Sequence, residues 1–309
     1  MVAHGFTPLD PFAAMPSPPV GHLRLWDCRV TWRDVNPAPG AWDWARLDAI
    51  VALAEQRDMD ICLVLGGTPA WAAREPEEPH AAAWIGPGSN SPPHTMNNWT
   101  DYVRKVVVRY AGRIHSYQIW NEPMLREFWS PYGQIAMLAQ MTLQARTVIR
   151  RVDPQARVVA APVMPRPSSG GMRRSSAYLT ALRRVGWPVD VMAAHVYPEI
   201  DKGPARWRDL VLACQIGLRA LDAPKAPLWV TETNYNLMGG PLPVRKVKRD
   251  IALTDHYAAE LGVARVYWYA YGRHSDPRVL GIRFQPGSAG DTALTELLSD
   301  GSGRGRIRA

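Results

Sequence analysis

Two glutamates, in Ile119-Trp120-Asn121-Glu122-Pro123 and Trp229-Val230-Thr231-Glu232-Thr233, each close a short β-rich run. A carboxylate at the end of a buried strand is costly to leave without a partner. Two of them on one face suit cleavage of a glycosidic bond, which needs a proton donor and a second carboxylate acting as nucleophile or base. A gap of about 5 Å between such groups gives retention of configuration, and about 6.5–9.5 Å gives inversion. Taken singly, Glu122 could cap a following helix and Glu232 could pair with an arginine.

The neighbouring residue types fit a sugar site. Asn121 can bond a ring hydroxyl next to the reacting carbon. His195 and Tyr197, at the tip of the run Asp190–Val196, can orient a carboxylate and bond to sugar. Arg24 lies in an early strand-like run, where its charge could hold the nucleophile ionised. Trp268 offers a flat apolar face for a sugar ring, and Trp26, Trp71, Trp120 and Trp129 also fall at predicted mouth positions. The chain has 13 tryptophans, more than a core of its size requires. Trp32, Trp42 and Trp44 read instead as packing for the first helix connection. Each site residue also has a plainer reading: Trp268 as core, His195 as a satisfied buried histidine, Arg24 as a structural ion pair.

Something must bring these residues together. Strand-like runs cover Gly21–Asp27, Asp60–Gly66, Arg113–Trp120, Arg157–Pro162, Asp190–Val196, Pro227–Glu232 and Arg265–Ala270. Between them apolar residues recur at helical spacing, as in Leu47, Ile50, Val51 and Ala54, or Trp99, Tyr102, Val103, Val106 and Tyr110. Further helical patterns span Ile135 to Ile149, Tyr178–Val185, Leu210–Leu221 and Ile251–Leu261. Strands separated by single helices predict parallel βαβ units. With one more strand near His4–Thr7, they predict a single-domain α/β chain, a closed (β/α)8 TIM barrel over residues 1–299. An open doubly wound sheet is the competitor, but no G-x-G-x-x-G loop is present. Two stretches without periodicity, Ala72–Asn98 and Val163–Ser175, follow strands, on the side of a barrel where active sites are built.

Composition bounds the rest. At 309 residues and 47% hydrophobic, the chain can bury a sizeable core. The net charge of +8 comes from arginines scattered over predicted helix faces, which reads as solvated surface. No basic stretch interleaved with aromatics predicts a nucleic-acid groove. Cys28, Cys62 and Cys214 are widely spaced, with no metal-binding pattern. No apolar run reaches membrane-spanning length, and Met1 to Phe12 lacks the pattern of a signal peptide. The expectation is a cytoplasmic protein, or an exported one whose export segment has been removed. Residues 300–309 read as a basic flexible tail.

Taken in order, these blocks resemble the glycoside hydrolases of clan A. Asn121-Glu122-Pro123 is similar to the clan's acid/base motif on strand four, and Thr231-Glu232-Thr233 resembles its nucleophile strand seven. His195-Val196-Tyr197 and Trp268 fall where the clan carries site residues on strands six and eight. Arg24-Leu25-Trp26-Asp27, Trp32 to Asp48, and Leu65-Gly66-Gly67-Thr68-Pro69-Ala70-Trp71-Ala72 are similar to family 39, in particular its bacterial members that cut exopolysaccharides. The likeness runs from about Gly21 to Gly272. Many clan members carry a histidine where this chain has Gly66-Gly67-Thr68-Pro69, and no β-sandwich domain follows, unlike in the xylosidase branch of family 39.

The resemblance implies double displacement, with Glu122 as acid/base at a raised pKa and Glu232 as nucleophile, kept ionised by Arg24. It implies Arg24, Trp71, Asn121, His195, Tyr197 and Trp268 as substrate-binding residues. It needs no metal or organic cofactor. The expected partner is an oligo- or polysaccharide, with endo action favoured, and neither nucleic acid nor membrane. Two other readings stay open: a carbohydrate-binding barrel without turnover, and a transglycosylase using the same covalent step. Sugar identity, linkage and oligomeric state are not written in these motifs.

Overall fold

The computed structural model describes residues 2–16, 20–130, 134–165, 171–236, 242–273 and 281–299. Eight strands alternate with helices: β1 (Ala3–Pro8), β2 (His22–Leu25), β3 (Asp60–Leu65), β4 (Ser116–Ile119), β5 (Arg157–Val159), β6 (Met192–Val196), β7 (Leu228–Thr233) and β8 (Val263–Tyr271). They form one sheet in the order β5-β4-β3-β2-β1-β8-β7-β6. Every pairing in it is parallel. Bridges Val159↔Val191 and Val163↔Ala194 join β5 to β6 and complete the ring. This is the (β/α)8 barrel that the alternation predicts.

The helices are α1 (Trp32–Val35), α2 (Ala45–Glu55), α3 (Met96–Tyr110), α4 (Ile135–Val152), α5 (Gly171–Arg184), α6 (Gly203–Ala220), α7 (Val244–Glu260) and α8 (Ala289–Ser299). The apolar spacing in α3 puts Trp99, Tyr102, Val103, Val106, Val107 and Tyr110 on one buried face. Thr95 caps that helix by accepting the Asn98 N–H at 3.2 Å. Gly112, at φ 72°, turns the chain past its end, and its N–H is held by Asp153 at 2.9 Å. Trp32 stacks on Tyr102, and Trp42 on Trp44, in the packing role expected of them. Among the described residues, no helix is long and apolar enough to cross a membrane.

Some boundaries differ from those read in the sequence. The short helix α1 and the terminal helix α8 lack a clear apolar repeat and were not anticipated. Helix α3 starts at Met96, and α5 at Gly171, so each takes the end of a stretch read as loop. The tail 300–309 lies outside the described residues.

Barrel strands are buried on both faces. Cys62, Val159, Val191, Ala193, Trp229 and Tyr267 fill the interior as one apolar layer. The opposite faces of the strands, with Leu23, Leu63, Ile119, Val230 and Val266 among them, join the larger core under the helices.

Candidate active site

Above the apolar layer the interior turns polar. Arg24, on β2, is wholly buried and spends its guanidinium on three acceptors. Nε donates to Gln118 Oε1 at 2.7 Å, one terminal nitrogen to Glu232 Oε1 at 2.5 Å, and the other to Asn121 Oδ1 at 2.6 Å. A planar guanidinium matches such a set in a way an ammonium does not. Gln118 in turn donates to Thr231 Oγ1 at 3.2 Å and to the Ala160 carbonyl at 3.1 Å.

Strict alternation along β7 would send Glu232 to the helix side with Val230. The register with β6 instead runs Ala194↔Val230 and then His195↔Glu232, and that with β8 runs Val230↔Val266 and then Thr233↔Trp268. Thr231 is therefore an extra residue, a bulge that re-aims the strand. Thr231 and Glu232 both face the interior, while Thr233 reaches α6, where its hydroxyl accepts the Trp207 indole N–H.

Glu122 arrives differently. β4 stops at Ile119, three residues before Glu122, and Trp120 (φ 73°) and Glu122 (φ 34°) both take left-handed backbone. This conformation is costly for residues with side chains, and such cost gathers at functional sites. Gly66 makes the turn possible: a Cβ there would meet the Trp120 ring at 3.3 Å.

His195 links the two carboxylates. Its Nδ1 lies 2.8 Å from Glu122 Oε1 and 3.4 Å from Glu232 Oε2. Tyr197 donates its hydroxyl to Glu232 Oε2 at 2.7 Å. One oxygen from each glutamate and one ring nitrogen of His195 all lie within 4.8 Å of one another. Burial pushes the His195 imidazole down to about 3, so the ring is neutral. Burial pushes the Tyr197 phenol well above its usual range, helped by the Glu232 charge, so it remains a donor. The three groups are close enough to chelate a cation, but both Glu232 oxygens already receive hydrogens, from Arg24 and Tyr197.

Five of the six expected neighbours divide cleanly. Arg24, Asn121, His195 and Tyr197 join the glutamates in one network. Trp268 does not. It is wholly buried, its indole N–H goes to His4 Nδ1 at 3.2 Å, and Tyr235 and Phe284 pack beside it in the outer core. It has no free face for a sugar. The β8 residue on the inner side is its neighbour Tyr269, half-buried and edge-on to Tyr197 at 6.4 Å. Trp71, the sixth, is tied to the α1 segment: its indole N–H bonds the Asn36 carbonyl at 3.0 Å and it stands edge-on to Trp32.

Two residues belong beside the network that were not singled out. Tyr269 neighbours Asp27, just past the tip of β2: burial, then the Asp27 charge, pushes its phenol well above the usual range. Burial, then the charge of Glu232, raise the Asp27 carboxyl to about 7. A carboxylate closing a strand-like run is the signal used to find the glutamates, and it applies equally to Asp27.

Residues 27–159, less than half of the chain, match the model of Glycosyl hydrolase family 10. Among solved structures, a glucosidase from Croceicoccus marinus superposes with a TM-score of 0.71 at 14% identity, covering 95% of this chain and 66% of that one. A family 39 enzyme from Xanthomonas axonopodis pv. citri gives 0.67 at 19% identity, covering 90% and 60%. A family 10 protein from Paenibacillus barcinonensis gives 0.63 at 17% identity, covering 96% and 94%. The chain thus spans under two thirds of the first two. No curated protein sequence matches it. At these identities the likeness establishes the fold, and it agrees with the resemblance to clan A.

Proposed function

We propose that this chain is a retaining glycoside hydrolase that cleaves O-glycosidic bonds of an oligo- or polysaccharide by double displacement. One observation carries the reading: oxygens of Glu122 and Glu232 lie within 4.8 Å of each other. So close an approach supports the narrow pairing used for retention over the wider gap that leaves room for water in inversion. Glu122 starts protonated and gives its proton to the glycosidic oxygen as the bond to the anomeric carbon breaks. Glu232 attacks that carbon and forms a glycosyl ester. Water then attacks the same carbon and loses a proton to Glu122, and Glu232 leaves as a carboxylate.

The other residues act on these two. Arg24 and Tyr197 present hydrogens to the attacking carboxylate and hold its orientation. Neutral His195 keeps the glutamates in register without competing for the proton. With Asn121 Oδ1 held by Arg24, its amide N–H groups are left for a sugar hydroxyl. The substrate class follows from the clan likeness, whose members here include a glucosidase and a family 39 enzyme. Endo action is favoured because the 73–95 segment packs against Trp26 and Val64 at one side of the mouth, as the wall of a cleft.

The test is covalent trapping with 2,4-dinitrophenyl 2-deoxy-2-fluoro-β-xyloside and its β-glucoside counterpart. One adduct mapping to Glu232 is expected, and Glu232→Ala should regain turnover with azide, giving an inverted glycosyl azide. An adduct on any other residue, or full activity in Glu232→Ala, would overturn the assignment.

A further inference from the structure

Trp84 is 55% exposed, in a chain that buries most of its indoles. It sits in the turn Ala82-Ala83-Trp84-Ile85-Gly86, closed by the Ile85 and Gly86 N–H groups on the Ala82 carbonyl at 2.9 and 2.8 Å. Ile85 goes down into the barrel tip with Trp26 and Val64, while Trp84 is displayed. The displayed ring is backed: it meets Trp26 edge-on at 5.9 Å and Phe128 at 6.4 Å.

This cluster is continuous with the candidate active site. Trp26 lies just past the end of β2, two residues on from Arg24. Phe128 belongs to the segment that follows Glu122, and its carbonyl accepts the Trp120 indole N–H at 2.5 Å. The turn is stitched to that segment by Ala82 N–H to the Glu127 carbonyl at 3.1 Å, and by Asn90 Nδ2 to the Arg126 carbonyl at 2.8 Å. The Trp26 indole N–H, itself buried, has no acceptor among the described residues. An apolar ring face held rigid beside an unused donor suits a sugar, which has apolar C–H faces and hydroxyl rims.

We propose that Trp84, backed by Trp26 and Phe128, stacks a sugar unit on the leaving-group side of the cleaved bond. The side follows from the elements: the platform is tied to Glu122's own segment through Phe128 and the Ala82 and Asn90 hydrogen bonds, and Glu122 is the group that protonates the leaving sugar. The inference rests on the proposed hydrolase reading and deepens it, since it makes the protein a reader of chains rather than of single terminal sugars.

Binding of xylotetraose, cellotetraose and laminaritetraose to the Glu232→Gln chain, followed by tryptophan fluorescence and calorimetry, provides the test. At least one should bind, and adding Trp84→Ala should weaken it about tenfold, with Trp84→Tyr restoring most of the loss. In the chain with Glu232 intact, the ratio of kcat/KM on that tetrasaccharide to kcat/KM on 2,4-dinitrophenyl β-xyloside or β-glucoside should fall about tenfold in Trp84→Ala. Ile216→Ala, at an exposed residue of α6, should leave the ratio alone. Undiminished tetrasaccharide binding in Trp84→Ala, or no tetrasaccharide binding at all, would overturn the platform. Failure of the hydrolase reading shows separately, as absence of a fluoro-sugar ester on Glu232 in a protein that still binds.

Discussion

Arg24 and Glu232 meet 2.5 Å apart from opposite sides of the barrel, the arginine sealed from solvent and the glutamate nearly so. A buried ion pair of this kind contributes little net stability, yet losing one member leaves the other charge stranded. Two further guanidinium hydrogens go to Gln118 and Asn121, so one side chain positions three others.

Arg24→Met should therefore damage both folding and turnover. The expected loss of stability is about 3–5 kcal/mol, as for other buried pairs broken on one side. Arg24→Lys should be milder in stability but still inactive, because one ammonium cannot reach all three acceptors. Chemical denaturation and steady-state kinetics on the same preparations would check both, and an active Arg24→Met chain would contradict the role.

Tyr197→Phe removes one donor from the Glu232 carboxylate and leaves the rest of the network intact. A hydrogen bond to a charged group is worth about 1.5–3 kcal/mol, so kcat should fall about 10- to 100-fold. Slower appearance of the glycosyl adduct during trapping, with no change in where it maps, is the expected signature.

Asp27 should show itself through pH. Its carboxyl sits at about 7, whereas an unfolded chain releases that proton near pH 4. Between those values the folded chain holds a proton that the unfolded chain has lost. The stability this group contributes is full below about pH 4 and is lost as pH rises through about 7. Asp27→Asn keeps the protonated shape and removes that loss. The variant should melt several degrees higher than the parent at pH 8, with the gap closing toward pH 4. A gap that ignores pH in thermal scans would refute the assignment.

Trp268 and Tyr269 should separate cleanly. Trp268→Phe strips His4 Nδ1 of its donor inside the core, so it should cost about 1–3 kcal/mol of stability and leave KM unchanged. Tyr269→Phe removes the phenol that is coupled to Asp27 at the mouth and should move the pH dependence of kcat instead. The reverse pattern would restore Trp268 as a sugar-facing residue.

Prolonged dialysis against EDTA should leave turnover unaltered, because both Glu232 oxygens are already taken by hydrogen donors. Loss of activity on chelation, recovered by adding a divalent ion, would show that the Glu122, His195 and Glu232 cluster works as a metal centre.

The barrel was legible because its helices carry clean apolar repeats and its strands are short apolar runs between them. The glutamate pair was legible because a carboxylate is conspicuous at the end of such a run. The inner residue of β8 was not. Val266-Tyr267-Trp268-Tyr269-Ala270 is apolar on both faces, so no alternation tells which aromatic points inward, and a shift of one residue exchanges the two sides. The bulge at Thr231 is equally silent in the sequence, since it is a property of pairing between strands. Asp27 is legible by the same sign as the glutamates, a carboxylate at the end of the run Gly21–Asp27.

That bulge has a further consequence. The side of the sheet from which Glu232 leaves the chain is set by the hydrogen-bonded framework of β6, β7 and β8. The 73–95 stretch, by contrast, is tied through Ala82 and Asn90 to the segment that carries Glu122, so a change in its length reaches one glutamate of the pair and leaves the other where the strands hold it.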